Sequence, residues 1–141
     1  MANVLLAEDN PADVYLIQEA LKEYGVQCRV QVASDGKEVL EVISRQGSLD
    51  EKERLDLIIL DLNLPCHDGL EILRELRAAG ECSRIPVVVL TSSDSPRDKS
   101  MASDLGASSF LRKPANLEEF LSLGEVFRDL LNKANAHSNG S

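Results

Sequence analysis

The sequence is short of cysteine, short of positive charge and without a long apolar run, and each shortage removes a class of function. Its three cysteines, Cys28, Cys66 and Cys82, are odd in number, widely spaced and without a CxxC pair. Neither a disulfide framework nor a zinc site is indicated. Cys66 alone falls in a loop of interest, either as an accessible thiol or as an incidental loop residue. Twenty-four acidic residues against 15 basic ones leave a net charge of −9. Binding to nucleic acid or anionic lipid is therefore opposed by charge, and no local basic patch offsets that. No stretch approaches a membrane span, and Met1-Ala2-Asn3-Val4 opens no leader signature. The expected compartment is the cytoplasm. A glycine-rich phosphate loop after the first strand is missing as well, which disfavours a nucleotide-binding flavodoxin-like protein.

What is present is the composition of an ordinary globular domain, 43% hydrophobic and 28% charged. The length suits one domain with one core, expected over residues 1–134, with 135–141 as a flexible tail. Strand and helix signals alternate. Val4 to Ala7 reads as a first strand; Asn10 and Pro11 then cap and open a helix that Gly25 stops. Cys28 to Val32 is a second strand, and Asp35-Gly36 turns into a helix carrying Val39, Leu40 and Ile43. After a polar connection, Leu57-Ile58-Ile59-Leu60 reads as a strand buried on both faces. Gly69 to Ala78 is a third helix, Pro86 to Leu90 a fourth strand followed by a weakly apolar helix carrying Met101 and Leu105, Ser108 to Arg112 a fifth strand, and Leu117 to Ala134 the last helix. Five βα units imply a three-layer α/β/α sandwich around a five-stranded parallel sheet with right-handed crossovers.

Parallel strands point their C-terminal ends to one edge, where open α/β sheets place their ligand crevice. Glu8 and Asp9 follow strand one, Asp61 follows strand three, Thr91 strand four, and Lys113-Pro114 strand five. Three carboxylates in close quarters repel, and a bound cation relieves that. Hard oxygen ligands suit Mg²⁺. The expected set is Asp9 and Asp61 as direct ligands, Glu8 directly or through water, and the backbone carbonyl of Asn63. An ionised carboxylate can also attack phosphorus, giving an aspartyl phosphate at Asp61, with Lys113 and the Thr91 hydroxyl contacting the phosphoryl oxygens.

The pattern Glu8-Asp9, Asp61 followed by Pro65 and Asp68-Gly69, Thr91, and Lys113-Pro114 closely resembles the receiver domain of two-component response regulators. It covers Val4 to about Leu131. The resemblance implies a flavodoxin-like (βα)5 fold and phosphorylation of Asp61 by a histidine kinase or phosphotransfer protein. It also implies a switch made of Thr91 and Phe110, and a cis bond before Pro114. A buried strand aromatic explains Phe110 nearly as well. A finer likeness in Glu8-Asp9-Asn10-Pro11-Ala12-Asp13-Val14 and Asp61-Leu62-Asn63-Leu64-Pro65 is to the single-domain regulators of phytochrome-type sensor kinases. Such a protein is no enzyme in the turnover sense; it promotes only its own aspartyl phosphorylation and dephosphorylation, and passes its signal to a downstream protein effector.

Two rivals stand beside this reading. A phosphatase working through an aspartyl phosphate generally needs an acidic residue two positions after its nucleophile, and here that residue is Asn63. An interaction module independent of phosphorylation would be indifferent to Asp61→Asn. In the last helix, Leu117, Phe120, Leu121, Gly124, Phe127 and Leu131 form a stripe at 100° per residue that faces the sheet. Leu123, Val126 and Leu130 widen it, either by packing under neighbouring loops or as the surface of a homodimer. His67 and His137 read as ordinary surface histidines.

Overall fold

Apolar runs that are buried on both faces hold the centre of the sheet. The computed structural model describes residues 1–80, 84–93 and 95–139. Its strands are β1 (Ala2–Ala7), β2 (Cys28–Ala33), β3 (Leu57–Leu60), β4 (Val87–Thr91) and β5 (Ser109–Arg112). All pair in parallel, in the order β2-β1-β3-β4-β5. Every position of β3 and β4 is buried, as their unbroken aliphatic sequences require. The helices are α1 (Pro11–Glu23), α2 (Gly36–Arg45), α3 (Gly69–Ala78), α4 (Pro96–Asp104), α5 (Leu117–Ser122) and α6 (Gly124–Asn139). The expected three-layer sandwich is therefore the observed architecture.

The strand period of two splits the core into halves. Leu5, Ala7, Ile58, Leu60, Val87 and Val89 pack with residues of α2, α3 and α4. Val4, Leu6, Leu57, Ile59, Val88 and Leu90 face α1, α5 and α6, against Ile17, Leu21, Phe120 and Phe127. Local chemistry sets the helix starts. Asn10 Oδ1 accepts the N–H groups of Ala12 and Asp13 at 2.9 and 3.3 Å, with Pro11 at the first position. Asp35, Asp68 and Asn116 cap α2, α3 and α5 in the same way. Ser95 caps α4. Gly25, with φ +66°, ends α1 in the left-handed conformation that glycine adopts without strain. The polar connection before β3 folds into two single 3-10 turns, Gln46–Ser48 and Glu51–Glu53. It is tied down by Asn3, whose Nδ2 donates to the Lys52 and Arg54 carbonyls.

The last helix differs from expectation. It breaks at Leu123, so α5 and α6 do not share one continuous stripe. Phe120, Phe127 and Leu131 are buried as expected, but Leu117, the first residue of α5, is 59% exposed. The stripe placed Leu117 on the sheet by assuming an unbroken 100° register, and the break at Leu123 removes that assumption. Leu123 and Leu130 are partly buried against the core, and Val126 is half-buried. The helical backbone continues through 135–139, where a tail was expected; Gly140, Ser141 and Cys82 lie outside the described residues. Cys28 and Cys66 are free thiols.

Gly124 explains how α6 approaches α1. A Cβ there would overlap the Ala20 carbonyl oxygen and the Tyr24 ring. Gly124→Ala is expected to destabilise the protein by about 1–3 kcal/mol, the usual cost of overpacking a close contact. Urea unfolding reads this as a lower midpoint at constant slope. An unchanged midpoint would mean that α6 can back away from α1 freely.

Candidate functional site

Main-chain pairing runs one residue beyond the strand ends and fixes the chemistry there. The Asp61 N–H donates to the Ala7 carbonyl at 3.0 Å, Glu8 N–H to Ala33 at 3.0 Å, and Lys113 N–H to Thr91 at 2.8 Å. Glu8, Asp61, Thr91 and Lys113 are thereby held at one edge of the sheet. That edge includes the switch point, where the chain leaves β1 for β2 on one side and β3 lies on the other.

Lys113 is the hub. Its Nζ lies 2.5 Å from Glu8 Oε1, 2.7 Å from Asp13 Oδ2 and 2.9 Å from Asp61 Oδ2. An ammonium has three N–H donors, and here all three are engaged. The Glu8 and Asp61 side chains are only 2% and 6% exposed. Burial alone would push the Lys113 ammonium down. Hydrogen bonds to Asp13, Glu8 and Asp61 outweigh that and hold it well above the usual 10.5. Its stabilising contribution is complete below 10.5 and is lost only as pH climbs through the raised value, so it is constant near neutrality. Glu8 is pushed above the usual 4.5, chiefly by burial, with the Asp61 charge adding to it. Bonds from Lys113 and from the Asn10 backbone pull the other way.

The second oxygens are also assigned. Glu8 Oε2 accepts the N–H groups of Asp9 and Asn10 at 3.0 and 3.1 Å, and Asp61 Oδ1 accepts that of Asn63 at 3.0 Å. Thr91 is fully buried, and its Oγ1 accepts from Asn63 Nδ2 at 3.2 Å and from Ser93 N–H at 3.3 Å. Glu8, Asp9 and Asp61 each offer a carboxylate oxygen, all within 4.8 Å of one another. Three hard oxygens so close, two of them on buried side chains, fit a divalent cation such as Mg²⁺ or Mn²⁺. Asn63 is exposed in the loop directly after Asp61.

Three sequence readings need revision here. Among the described residues there is no cis peptide bond, so the cis Lys113–Pro114 bond is corrected to trans. Trans is the default isomer by about 0.5–1 kcal/mol, and Lys113 reaches its carboxylates in it. His67 is half-buried against Gly36 rather than on the surface. Asp13 was missed as a site residue altogether. Phe110 sits half-buried beside the core on the α2–α3–α4 side, which suits both of its readings. A cavity of about 330 Å³ lined by Asn3, Arg29, Arg45, Gln46 and Leu55 lies at the other end of β1 and β2. An ion and a phosphoryl group need a shallow polar crevice, not that volume.

Residues 4–123 match the family described as the response regulator receiver domain. The chain belongs to that family. Among curated relatives, response regulator Rcp1 of Synechocystis sp. (strain ATCC 27184 / PCC 6803 / Kazusa) is 37% identical over 120 residues, which cover 85% of this chain and 82% of Rcp1. Several other relatives are longer, and this receiver spans about half of their length. Among solved structures, the phosphorylated cyanobacterial phytochrome response regulator RcpA is similar at a TM-score of 0.82 and 37% identity. That match covers 92% of this receiver and 93% of RcpA. The Mn²⁺-bound form of Rcp1 gives 0.81 at 34% identity, over 92% and 93% of the two chains. Among the described residues no helix is long and apolar enough to cross a membrane.

Proposed function

We propose that this receiver is a cytoplasmic phosphoacceptor that takes a phosphoryl group on Asp61 with Mg²⁺ bound. One observation carries the reading: Asp61 Oδ2 lies 2.9 Å from the Lys113 ammonium, within a carboxylate cluster fit for a divalent cation. Asp9, Asp61, the Asn63 carbonyl and Glu8, directly or through water, would hold the cation, which would neutralise phosphoryl oxygens. An Asp61 oxygen forms the new bond to phosphorus. The bond from phosphorus to the donor breaks, and its electron pair leaves with the donor; from acetyl phosphate the leaving group is acetate. Lys113 takes up a phosphoryl oxygen as Asp61 gives up its charge. Thr91 accepts from Asn63 and Ser93, so its own O–H is left to donate to the phosphoryl group, and Phe110 follows it in the switch.

The physiological donor is a sensor histidine kinase or phosphotransfer protein, of phytochrome type by the likeness to Rcp1 and RcpA. The signal leaves through contacts with a downstream protein, or through a homodimer for which Leu123, at the break between α5 and α6, and Val126 and Leu130 of α6 offer their exposed parts. The receiver turns over no separate substrate. The side chain of Asn63 supports this, since it donates to Thr91 and has no acid to offer a leaving group.

The test is intact-protein mass after incubation with acetyl phosphate and Mg²⁺. Wild type is expected to gain one phosphoryl group and Asp61→Asn none. An adduct of equal yield on both proteins would remove Asp61 from the role.

A further inference from the structure

Among the described residues, Asp13 is the one side-chain partner of Lys113 that lies outside the carboxylate cluster. Glu8 and Asp61 bind Lys113 and also belong to the cation site. Asp13 reaches the ammonium at 2.7 Å from the first turn of α1, 100 residues away along the chain. Its side chain is 20% exposed and that of Lys113 12%. We propose that Asp13 is a positioning residue, which anchors the Lys113 ammonium to α1 throughout phosphoryl transfer. The proposal rests on the reading of Asp61 as the acceptor.

The argument follows the three N–H donors. When Asp61 becomes an acyl phosphate its attacking oxygen loses charge, and the N–H that it held passes to a phosphoryl oxygen. Glu8 turns lone pairs toward a cation. Both bonds therefore change during the reaction. The bond to Asp13 is the one that need not change, so it sets where the ammonium sits. Without it, a long and rotamer-rich side chain is less confined. Helix capping does not account for the Asp13 carboxylate, because Asn10 Oδ1 already accepts the N–H groups at the start of α1.

The test compares wild type, Asp13→Asn and Asp13→Glu. The rate of phosphoryl gain is measured by mass at several acetyl phosphate and Mg²⁺ concentrations, together with the ¹H–¹⁵N NMR signal of the Lys113 ammonium. Asp13→Asn is expected to lower the maximal rate about 10-fold, with the half-saturating Mg²⁺ within about twofold of wild type. The ammonium signal is expected to be sharp in wild type, where three carboxylates hold it, and to broaden in the variant. Recovery of the rate in Asp13→Glu would add support, because only a carboxylate can re-form the bond. A wild-type rate in Asp13→Asn overturns the inference and leaves Asp13 as a helix-start residue. A Mg²⁺ requirement raised enough to explain the slower rate overturns it too, in favour of a long-range charge effect. Wild-type protein that gains no phosphoryl group instead overturns the Asp61 reading itself, and this inference with it.

Discussion

Without divalent cation, the Lys113→Ala protein is expected to unfold with a free energy about 3–5 kcal/mol below wild type, the range found when one partner of a buried ion pair is removed. The deletion leaves Glu8 and Asp61 with 2% and 6% side-chain exposure and no ammonium between them. Water cannot solvate them where they lie, and they repel each other. Mg²⁺ should therefore stabilise the variant more than it stabilises wild type, because the cation replaces the missing charge and binds only the folded site. The pH dependence has a definite sign. Glu8 already sits above its usual 4.5 through burial and the Asp61 charge. Losing the Lys113 bond, which opposes both, raises it further. A carboxylate raised in the folded state binds its proton there more readily than in the unfolded chain. Stability is thus lost as pH rises from 4.5 through the raised value. The deficit of Lys113→Ala should be smaller at pH 5 than at pH 8. Urea titrations at both pH values, with and without Mg²⁺, measure all of this. A deficit below about 1 kcal/mol at pH 8 would mean that the pair behaves as a solvated surface bridge.

The edge of the sheet was legible in the sequence because buried strands are unambiguous there. Leu57–Leu60 and Val87–Leu90 are continuous aliphatic runs, so the residues after them had to meet at one end, and Glu8, Asp61, Thr91 and Lys113 do. The start of α1 was readable from Asn10-Pro11. Asp13 was not legible as a site residue. An acidic residue in the first helical turn has an ordinary explanation in the helix dipole, and its true partner lies 100 positions away. The one signal was the packing of three acidic side chains, Glu8, Asp9 and Asp13, into six residues against a single lysine, Lys113, at the same edge. The break at Leu123 was hidden for a different reason. Gly124 fits a helical face by period, while the contact that demands glycine comes from Ala20 and Tyr24 of α1. Periodicity describes one element at a time, and both misses concern pairs of elements.

Asp9→Ala should give the opposite result to Lys113→Ala, and the contrast separates the two tasks of the site. Asp9 is exposed, and the ammonium bonds of Lys113 go to Glu8, Asp13 and Asp61. Its carboxylate contributes to a cluster whose members repel, so removing it changes metal-free stability by no more than about 0.5 kcal/mol. The same carboxylate is one of the three oxygens that converge for a cation. Loss of an outer partner of a ligand already costs about 10–100-fold in metal affinity, so loss of a ligand should cost about 100-fold or more. Stabilisation by Mg²⁺ should then vanish at concentrations that saturate wild type, and phosphoryl gain at Asp61 should fall by a similar factor. Two measurements decide it: thermal unfolding with and without Mg²⁺, and intact mass after acetyl phosphate. If Asp9→Ala kept the wild-type response to Mg²⁺, the cation would have to sit on Glu8, Asp61 and the Asn63 carbonyl without Asp9. Lys113 would then compete with it directly for the Glu8 and Asp61 oxygens, and removing Lys113 would speed phosphoryl uptake instead of slowing it.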